Sequence, residues 1–332
     1  MASRAVLVTE FGPAEMLTCV TMQTPEPGPG EVRVLMKAAG LSFADILIAE
    51  GRYQVRPPLP FVPGSDFAGQ IDAVGEGVSP KRIGERVCGA GFGGAMAAML
   101  VTPSDAAVSM PDSMTWEQGS VLTASYTTAY HALVHRGRLQ PGEQLCVLGA
   151  AGAVGLAAIQ IGKALGAKVI AAASSEQKRA AAIANGADIA IDSSAHDWRS
   201  ALRAATNGCG PDVVVDPLGD RFTEAALRSL AWNGRLLVIG FAAGDIPSIP
   251  TNLVLLKGAQ LVGININQFG QAEPEKARAM MPEIAKLYDA GFIHTPIDSA
   301  YPLSHFGDAV ARVKQAPPGR VIVTFNRSEC QS

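Results

Sequence analysis

Paired cysteines are missing from this 332-residue sequence: Cys19, Cys88, Cys146, Cys209 and Cys330 are dispersed, with no C-x-x-C pair and no close set of four. An odd, scattered set excludes a disulfide scaffold and a thiolate-rich zinc lobe, and fits free thiols in a reducing cytoplasm. Long apolar runs are missing as well. The longest uncharged one, Leu145 to Gly162, is broken by glycines and stopped by Lys163, so it reads as strand, turn and helix rather than a membrane span. No signal peptide is expected, because Glu10 interrupts the N-terminal MASRAVLVTEFGPAE before a long apolar stretch can form. No block of like charge occurs among 27 basic and 30 acidic residues, and the net charge is −3. That argues against a nucleic-acid face and against a basic membrane-surface helix. There is no internal repeat and no low-complexity linker.

What is present is apolar material for large cores, with 48% hydrophobic and 17% charged residues. At roughly 150 residues per domain, the length predicts two domains. The first third carries short strand-like runs, AVLVTEF, EVRVLMKAAG, FAGQIDAVG and ERVCGAG, set between Gly/Pro clusters such as TPEPGPGE. The middle alternates apolar strands (QLCVLGA, KVIAAAS, DIAIDS, DVVVDPLG, RLLVIGF) with helical segments, which predicts a doubly wound parallel sheet. A helix near Lys276–Ala290 and a strand RVIVTF return to the first style. The expected division is a β-rich domain over residues 1–122 and 266–332, with a dinucleotide-type domain over 123–265 inserted in it.

The sharpest motif is Gly149-Ala-Ala-Gly152-Ala-Val-Gly155, following a strand and opening a helix. Gly149 suits the tight turn, Gly152 lets backbone approach a diphosphate, and Gly155 lets the helix pack on the sheet. Free N–H groups and the positive end of the helix dipole would hold the anion. The spacing departs from G-x-G-x-x-G, since Ala150 stands where the second glycine would be; a plain β–α turn is the bland alternative. At the end of the second strand an NAD site places a carboxylate for the ribose hydroxyls. Here the chain reads Ser174, Ser175, then Glu176, Lys178 and Arg179. Serines and a cation suit the 2′-phosphate of NADPH, although Lys178 and Arg179 also read as a solvated helix face.

These segments carry a resemblance over essentially the whole chain. PGPGEVRVLMKAAGLSFADILIAEGRY, PFVPGSDFAGQIDAVGEGV, LTASYTTAYHAL, LQPGEQLCVLGAAGAVGLAAIQIGKALGAKVIAAASSEQK and GRLLVIGF resemble the medium-chain dehydrogenase/reductase superfamily, in its zinc-independent quinone-oxidoreductase branch. The resemblance implies an α/β protein with a GroES-like β-rich catalytic domain and a Rossmann domain. It further implies NADPH as cofactor and a homodimer. Ala151, Gly152, Ala153 and Val154 would face the diphosphate, Ser174 and Lys178 the 2′-phosphate, and Thr128 the carboxamide of the nicotinamide. Gly240, Phe241 and Ala242 would end a strand facing the cofactor, and Ile264 and Asn265 would approach the nicotinamide. Tyr53, in EGRY, would line the acceptor pocket. Ser42 stands where many quinone reductases have Asn. A tyrosine common near the adenosine phosphate is replaced around Asp192–Ser193.

Zinc-dependent relatives use Cys, His and a third ligand, but this chain has Ser42 at the first position and Gly64-Ser65-Asp66 in place of G-H-E. No metal is therefore expected. Without a Lewis acid to stabilise an alkoxide, reduction of an already electrophilic acceptor is preferred over alcohol oxidation. Ser42 and Tyr53 are the candidate donors to the developing oxyanion. His131 and His135 have chelating spacing yet read as a satisfied pair; Asp45 and Asp66 read as turn-holding carboxylates rather than an acid/base pair. Met96 and Met99 read as packing. Two alternatives stand beside the quinone or enone reductase: an enoyl-CoA or acryloyl-CoA reductase, for which Arg52 or Arg56 would meet the CoA, and an NADPH-binding protein without significant turnover.

Overall fold

The computed structural model describes residues 2–326; Cys330 and the end of the expected C-terminal segment lie outside them. The chain divides into two compact units, 1–124 with 295–332, and 125–294.

The first unit opens with β1 (Ala2–Val6) and β2 (Cys19–Gln23), an antiparallel pair. Then come β3 (Glu31–Leu41), α1 (Phe43–Ala49), β4 (Asp66–Val74), β5 (Arg86–Ala90), β6 (Met99–Pro103), β7 (Val108–Ser109) and α2 (Trp116–Gly119). β3 alternates half-buried and buried positions from Glu31 to Met36, the period-2 pattern of a strand with one face on a core.

The second unit takes α3 (Thr123–Tyr130, which spans the division), a π-helical turn (His131–Arg136), β8 (Gln144–Leu148), α4 (Ala153–Ala164), β9 (Lys168–Ala173) and α5 (Glu176–Ala184). It continues with β10 (Ile189–Asp192), α6 (Trp198–Ala205), β11 (Val213–Asp216), α7 (Asp220–Ser229), β12 (Arg235–Val238), α8 (Thr251–Lys257), β13 (Gln260–Gly263), α9 (Ile266–Ala272) and α10 (Pro274–Asp289). The chain then returns to the first unit through β14 (Ile297–Pro302), α11 (Phe306–Lys314) and β15 (Arg320–Thr324).

In the first unit the sheet order is β14-β15-β3-β4-β5-β7, with β6 paired to β3. Its core gathers Met36, Ile46, Phe67, Ile71, Met96 and Phe306. Met96 is thus core packing. In the second unit all five pairings are parallel, in the order β10-β9-β8-β11-β12-β13. Every residue of β11 is buried, as a strand covered on both faces requires. The order reverses between β8 and β11, and in such sheets ligands bind outside the carboxyl ends of the strands at that switch point.

The second boundary differs from the sequence expectation. Residues 266–294 belong with the parallel sheet, not with the β-rich unit. Phe269 of α9 stacks on His131 at 3.9 Å between ring centroids. His294 donates its N–H to Gln160 Oε1 at 2.9 Å, and its carbonyl accepts from the Tyr126 hydroxyl. These ties couple the end of the insertion to its beginning, across sequence distances that no local pattern encodes.

Candidate functional site

The glycine turn sits at the carboxyl end of β8. Gly149 has φ +57, a conformation in which a Cβ is strained. Gly152 is the N-cap of α4 with no side-chain cap, so the N–H groups of Ala153 and Val154 have no capping oxygen. Gly152 is exposed and Ala153 and Val154 are half-buried, which leaves this helix start open to a ligand. A Cβ on Gly155 would lie 2.5 Å from Gly149 O and 2.9 Å from Ala150 C, both backbone atoms. Only glycine lets the helix start close on the turn. Ala150, the departure from the usual spacing, is fully buried and donates its N–H to Ala172 O at 3.2 Å. Its side chain faces the protein, so it does not obstruct the approach of a diphosphate.

At the end of β9, Ser174 is exposed, and Ser175 caps α5 by accepting from Lys178 N at 3.3 Å. Arg179 is committed elsewhere: it pairs with Asp192 at 3.1 Å and donates to Ala173 O at 3.3 Å. Ser194, with Arg179, holds the Asp192 carboxyl below its ordinary range. Lys178 therefore remains the basic side chain of this turn that a phosphate can recruit.

The other residues assigned to the cofactor lie at or beyond strand ends. β12 stops at Val238, so Gly240, Phe241 and Ala242 follow the strand rather than end it, a correction to the sequence reading. The reason is that β11 ends at Asp216: Ile239 N–H makes the last ladder bond, to Asp216 O at 2.9 Å, and beyond it Ala242 N–H bonds to Pro217 O at 3.1 Å and Ala243 N–H to Leu218 O at 2.9 Å, so the chain follows the loop after β11. Asp216 fixes that loop by accepting from Leu218 N, Gly219 N and Thr223 Oγ1. Ile264 follows β13 and donates to Val238 O at 2.9 Å; Asn265 caps α9 through Gln268 N. Thr128 lies buried on α3.

In the first unit, Ser42 caps α1. Its N–H and hydroxyl both donate to Asp45 Oδ2, at 2.8 and 2.6 Å, and its Oγ accepts from Asp45 N at 3.2 Å. Ser65 Oγ donates to Asp45 Oδ1 at 2.5 Å. Asp45 is 3% exposed. A buried carboxylate satisfied by two hydroxyls and an N–H is a stable hub. Asp66 accepts from Ala124 N at 2.9 Å and from Arg320 Nη2 at 2.7 Å. The residues standing where zinc ligands would be expected do not make a zinc donor set: two are hydroxyls turned onto Asp45, and the third is a carboxylate held by Arg320. Asp45 and Asp66 hold backbone and neighbours, as their types predicted. Burial pushes the Cys88 thiol up to about 11 and Cys146 to about 12, far from a reactive or ligating thiolate.

Ser42 and Tyr53 are not brought together. They flank opposite ends of α1, seven residues or roughly 10 Å long, and Tyr53 is half-buried in the turn after it. The Ser42 proton is already engaged by Asp45. A cavity in the same unit is lined by Asp45, Ile48, Val55, Phe61, Pro63 and Phe92, among others. Sequence reasoning missed Asp45 as the organiser, although S-x-x-D before the apolar ILIA run is a capping-box signal that could have shown it. Arg320, 254 residues from Asp66, gave no such signal.

His131 and His135 face each other with Nδ1 atoms 3.2 Å apart. Burial, then His135 and Arg136, push His131 down to about 4, so the pair is neutral near pH 7. Among the described residues no three His, Cys, Asp or Glu side chains converge as metal ligands.

Comparison with known proteins decides the family. The models for the alcohol dehydrogenase GroES-like domain and for zinc-binding dehydrogenase match residues 28–112 and 153–286. Mouse quinone oxidoreductase-like protein 2 is 36% identical over 324 residues, covering 97% of this chain and 92% of that protein. The chain belongs to the medium-chain dehydrogenase/reductase superfamily, in its quinone-oxidoreductase branch. A mycobacterial structure complexed with NADPH superposes with a TM-score of 0.89 at 28% identity, covering 97% of this chain and 99% of that one. The CurK enoyl reductase superposes with a TM-score of 0.88 at 25% identity, over 98% and 100%. The chain is therefore an oxidoreductase with a GroES-like domain and a Rossmann domain, and no described helix is long and apolar enough to cross a membrane.

Proposed function

We propose that this oxidoreductase uses NADPH, without zinc, to reduce a quinone or an α,β-unsaturated carbonyl compound in the cytoplasm. The observation that carries the reading is the carboxyl edge of the parallel sheet: an uncapped glycine turn after β8 and an exposed serine, not a carboxylate, after β9. The residues fit the cofactor by the cradle that a Cβ at Gly155 would fill. The N–H groups of Ala151, Ala153 and Val154 bind the diphosphate, while Gly152, whose own N–H bonds to Gly149 O at 2.9 Å, leaves the approach open; Ser174 and Lys178 bind the 2′-phosphate. Thr128, Gly240, Phe241, Ala242, Ile264 and Asn265 bound the nicotinamide pocket and keep water from it. When bound, NADPH supplies the hydride, and one solvent proton completes the conversion of a quinone to its hydroquinone.

Tyr53 is assigned as hydrogen-bond donor to the acceptor oxygen. Ser42 is assigned a supporting part, because its proton rests on Asp45. The similarity to an enoyl reductase favours an enoyl thioester as the second reading. Oxidation of NADPH with 9,10-phenanthrenequinone, a short enone and crotonyl-CoA tests these readings together. Turnover of either of the first two supports the proposal, turnover of the thioester alone supports the second reading, and NADPH binding without any turnover supports a binding protein.

A homodimer through β13 is part of the proposal. β13 is an edge strand of the sheet with Leu261 42% exposed, and Leu255 and Leu256 of the preceding α8 are 78% and 70% exposed. An unpaired edge beside exposed leucines is a surface that a second copy can cover.

A further inference from the structure

The amino-terminal edge of the parallel sheet, opposite the cofactor turn, gathers three cations that the reductase reading does not use. Arg199 and Arg203 stand one turn apart on α6, and Lys257 is the last residue of α8. Each meets an uncharged oxygen. Arg199 Nε approaches Ser229 Oγ at 3.5 Å, Arg203 Nη2 donates to Gly208 O at 3.3 Å, and Lys257 Nζ donates to Leu230 O at 2.8 Å.

These three anchors are neighbours. Ser229 ends α7 and Leu230 follows it. Gly210, two residues after Gly208, lies against the Ser229 carbonyl with no room for a Cβ, and Ala231 N–H bonds to Pro211 O at 2.9 Å. The ends of α6, α7 and α8 therefore meet at one corner, from which the chain enters β11, β12 and β13. The glycine turn and Ser174 lie at the carboxyl ends of β8 and β9, at the other edge of the same sheet.

Like charges brought together repel unless a counterion relieves them. Burial, then Arg203, then Arg199 push the Lys257 ammonium below its ordinary value. The carboxylates close by along the chain are engaged elsewhere: Glu224 pairs with Arg228 at 2.6 Å, and Asp197 is held below its ordinary range by Ser200 first and by Arg199 last. A cation at a helix end favours its own helix, but that effect acts one helix at a time and does not call for three cations on one corner. Their number outbalances a single carboxylate, and the planar fork of arginine matches the oxygens of a phosphoryl group two at a time. Trp232 is 70% exposed at the same corner, where a Cβ on Gly258, the residue after Lys257, would lie 3.3 Å from its ring. An aromatic group carried on the phosphate has a face to lie on.

We propose that Arg199, Arg203 and Lys257 form a binding site for a phosphoryl dianion, separate from the cofactor edge and filled by free phosphate or by the phosphate of a small aromatic ester. Calorimetric titration with inorganic phosphate and with phenyl phosphate tests it, at fixed ionic strength and with NADPH at saturation so that the 2′-phosphate cradle is not what reports. Wild type should bind with Kd on the order of 1 mM, and phosphate should raise Tm where sodium chloride at the same ionic strength does not. Arg203→Ala and Lys257→Met should each raise Kd about tenfold, the loss of one charge-assisted contact, and Arg203→Lys should recover most of the affinity. Arg203 is exposed, so its replacement leaves the core as it is. Tighter binding of phenyl phosphate, with the gain lost in Trp232→Ala, assigns the ester as the ligand; equal or weaker binding assigns free phosphate. No saturable phosphate binding, or binding unchanged in Arg203→Ala and Lys257→Met, overturns the site and leaves the reductase reading standing.

Discussion

Replacing Gly155 by alanine tests the cofactor turn where it has least room. The new Cβ would lie 2.5 Å from Gly149 O and 2.9 Å from Ala150 C. Both are backbone atoms in a turn set by Gly149 at φ +57, so the clash cannot be relieved by rotating a side chain. Overpacking of this kind costs about 1–3 kcal/mol, or about 2–4 °C in Tm per kcal/mol for a unit of this size. The turn must also open, moving the N–H groups of Ala153 and Val154 away from a bound diphosphate. A hydrogen bond to a charged group is worth about 1.5–3 kcal/mol, so Kd for NADPH should rise roughly 10- to 100-fold. Gly162→Ala is the matched control. Gly162 lies near the far end of the same helix, and its Cβ would meet Leu145 Cδ2 of β8 at 2.5 Å, a side-chain methyl. The control should lower Tm by less, because a side-chain methyl can shift where backbone cannot, and it should leave Kd for NADPH within about twofold of wild type. Titration of NADPH fluorescence and a thermal melt measure both quantities. If Gly155→Ala binds NADPH as wild type does, or if the two variants weaken binding equally, the turn does not hold the cofactor.

Arg320→Met strands the buried Asp66 carboxylate and should cost about 3–5 kcal/mol, while Arg320→Met with Asp66→Leu recovers part of that loss; chemical denaturation compares them. His131, depressed to about 4 from an ordinary 6.5, contributes stability that is present above pH 6.5 and lost as pH falls from 6.5 toward 4. The loss should be on the order of 2 kcal/mol and should vanish in His131→Phe, which keeps the stack on Phe269. Leu261→Lys should convert a dimer to a monomer in light scattering, and an unchanged mass would exclude β13 as the interface.

The glycine turn and the alternating strand–helix rhythm were legible because they obey local rules: a strand into a glycine into a helix, repeated with short connections. The missing zinc ligands could be read at Ser42 and Ser65 directly. What local pattern could not give was partnership at a distance. The hub at Asp45 needs Ser65 beside Ser42 in space, and Asp66 needs a guanidinium from the last strand. Residues 266–294 were assigned to the wrong unit because an amphipathic helix does not announce which core it packs on; Phe269 on His131 and His294 on Gln160 decide that. Arg179 stands next to Lys178 in the first turn of α5 with the same charge, and only the fold reveals that Asp192 takes Arg179.

The central claim is that an uncapped glycine turn holds the diphosphate while Ser174 and Lys178 accept the adenosine 2′-phosphate. Equilibrium titration of the purified protein with NADPH and with NADH tests it most directly. NADPH binding at least tenfold tighter than NADH is the predicted result. Equal affinities, a preference for NADH, or no binding of either would contradict it.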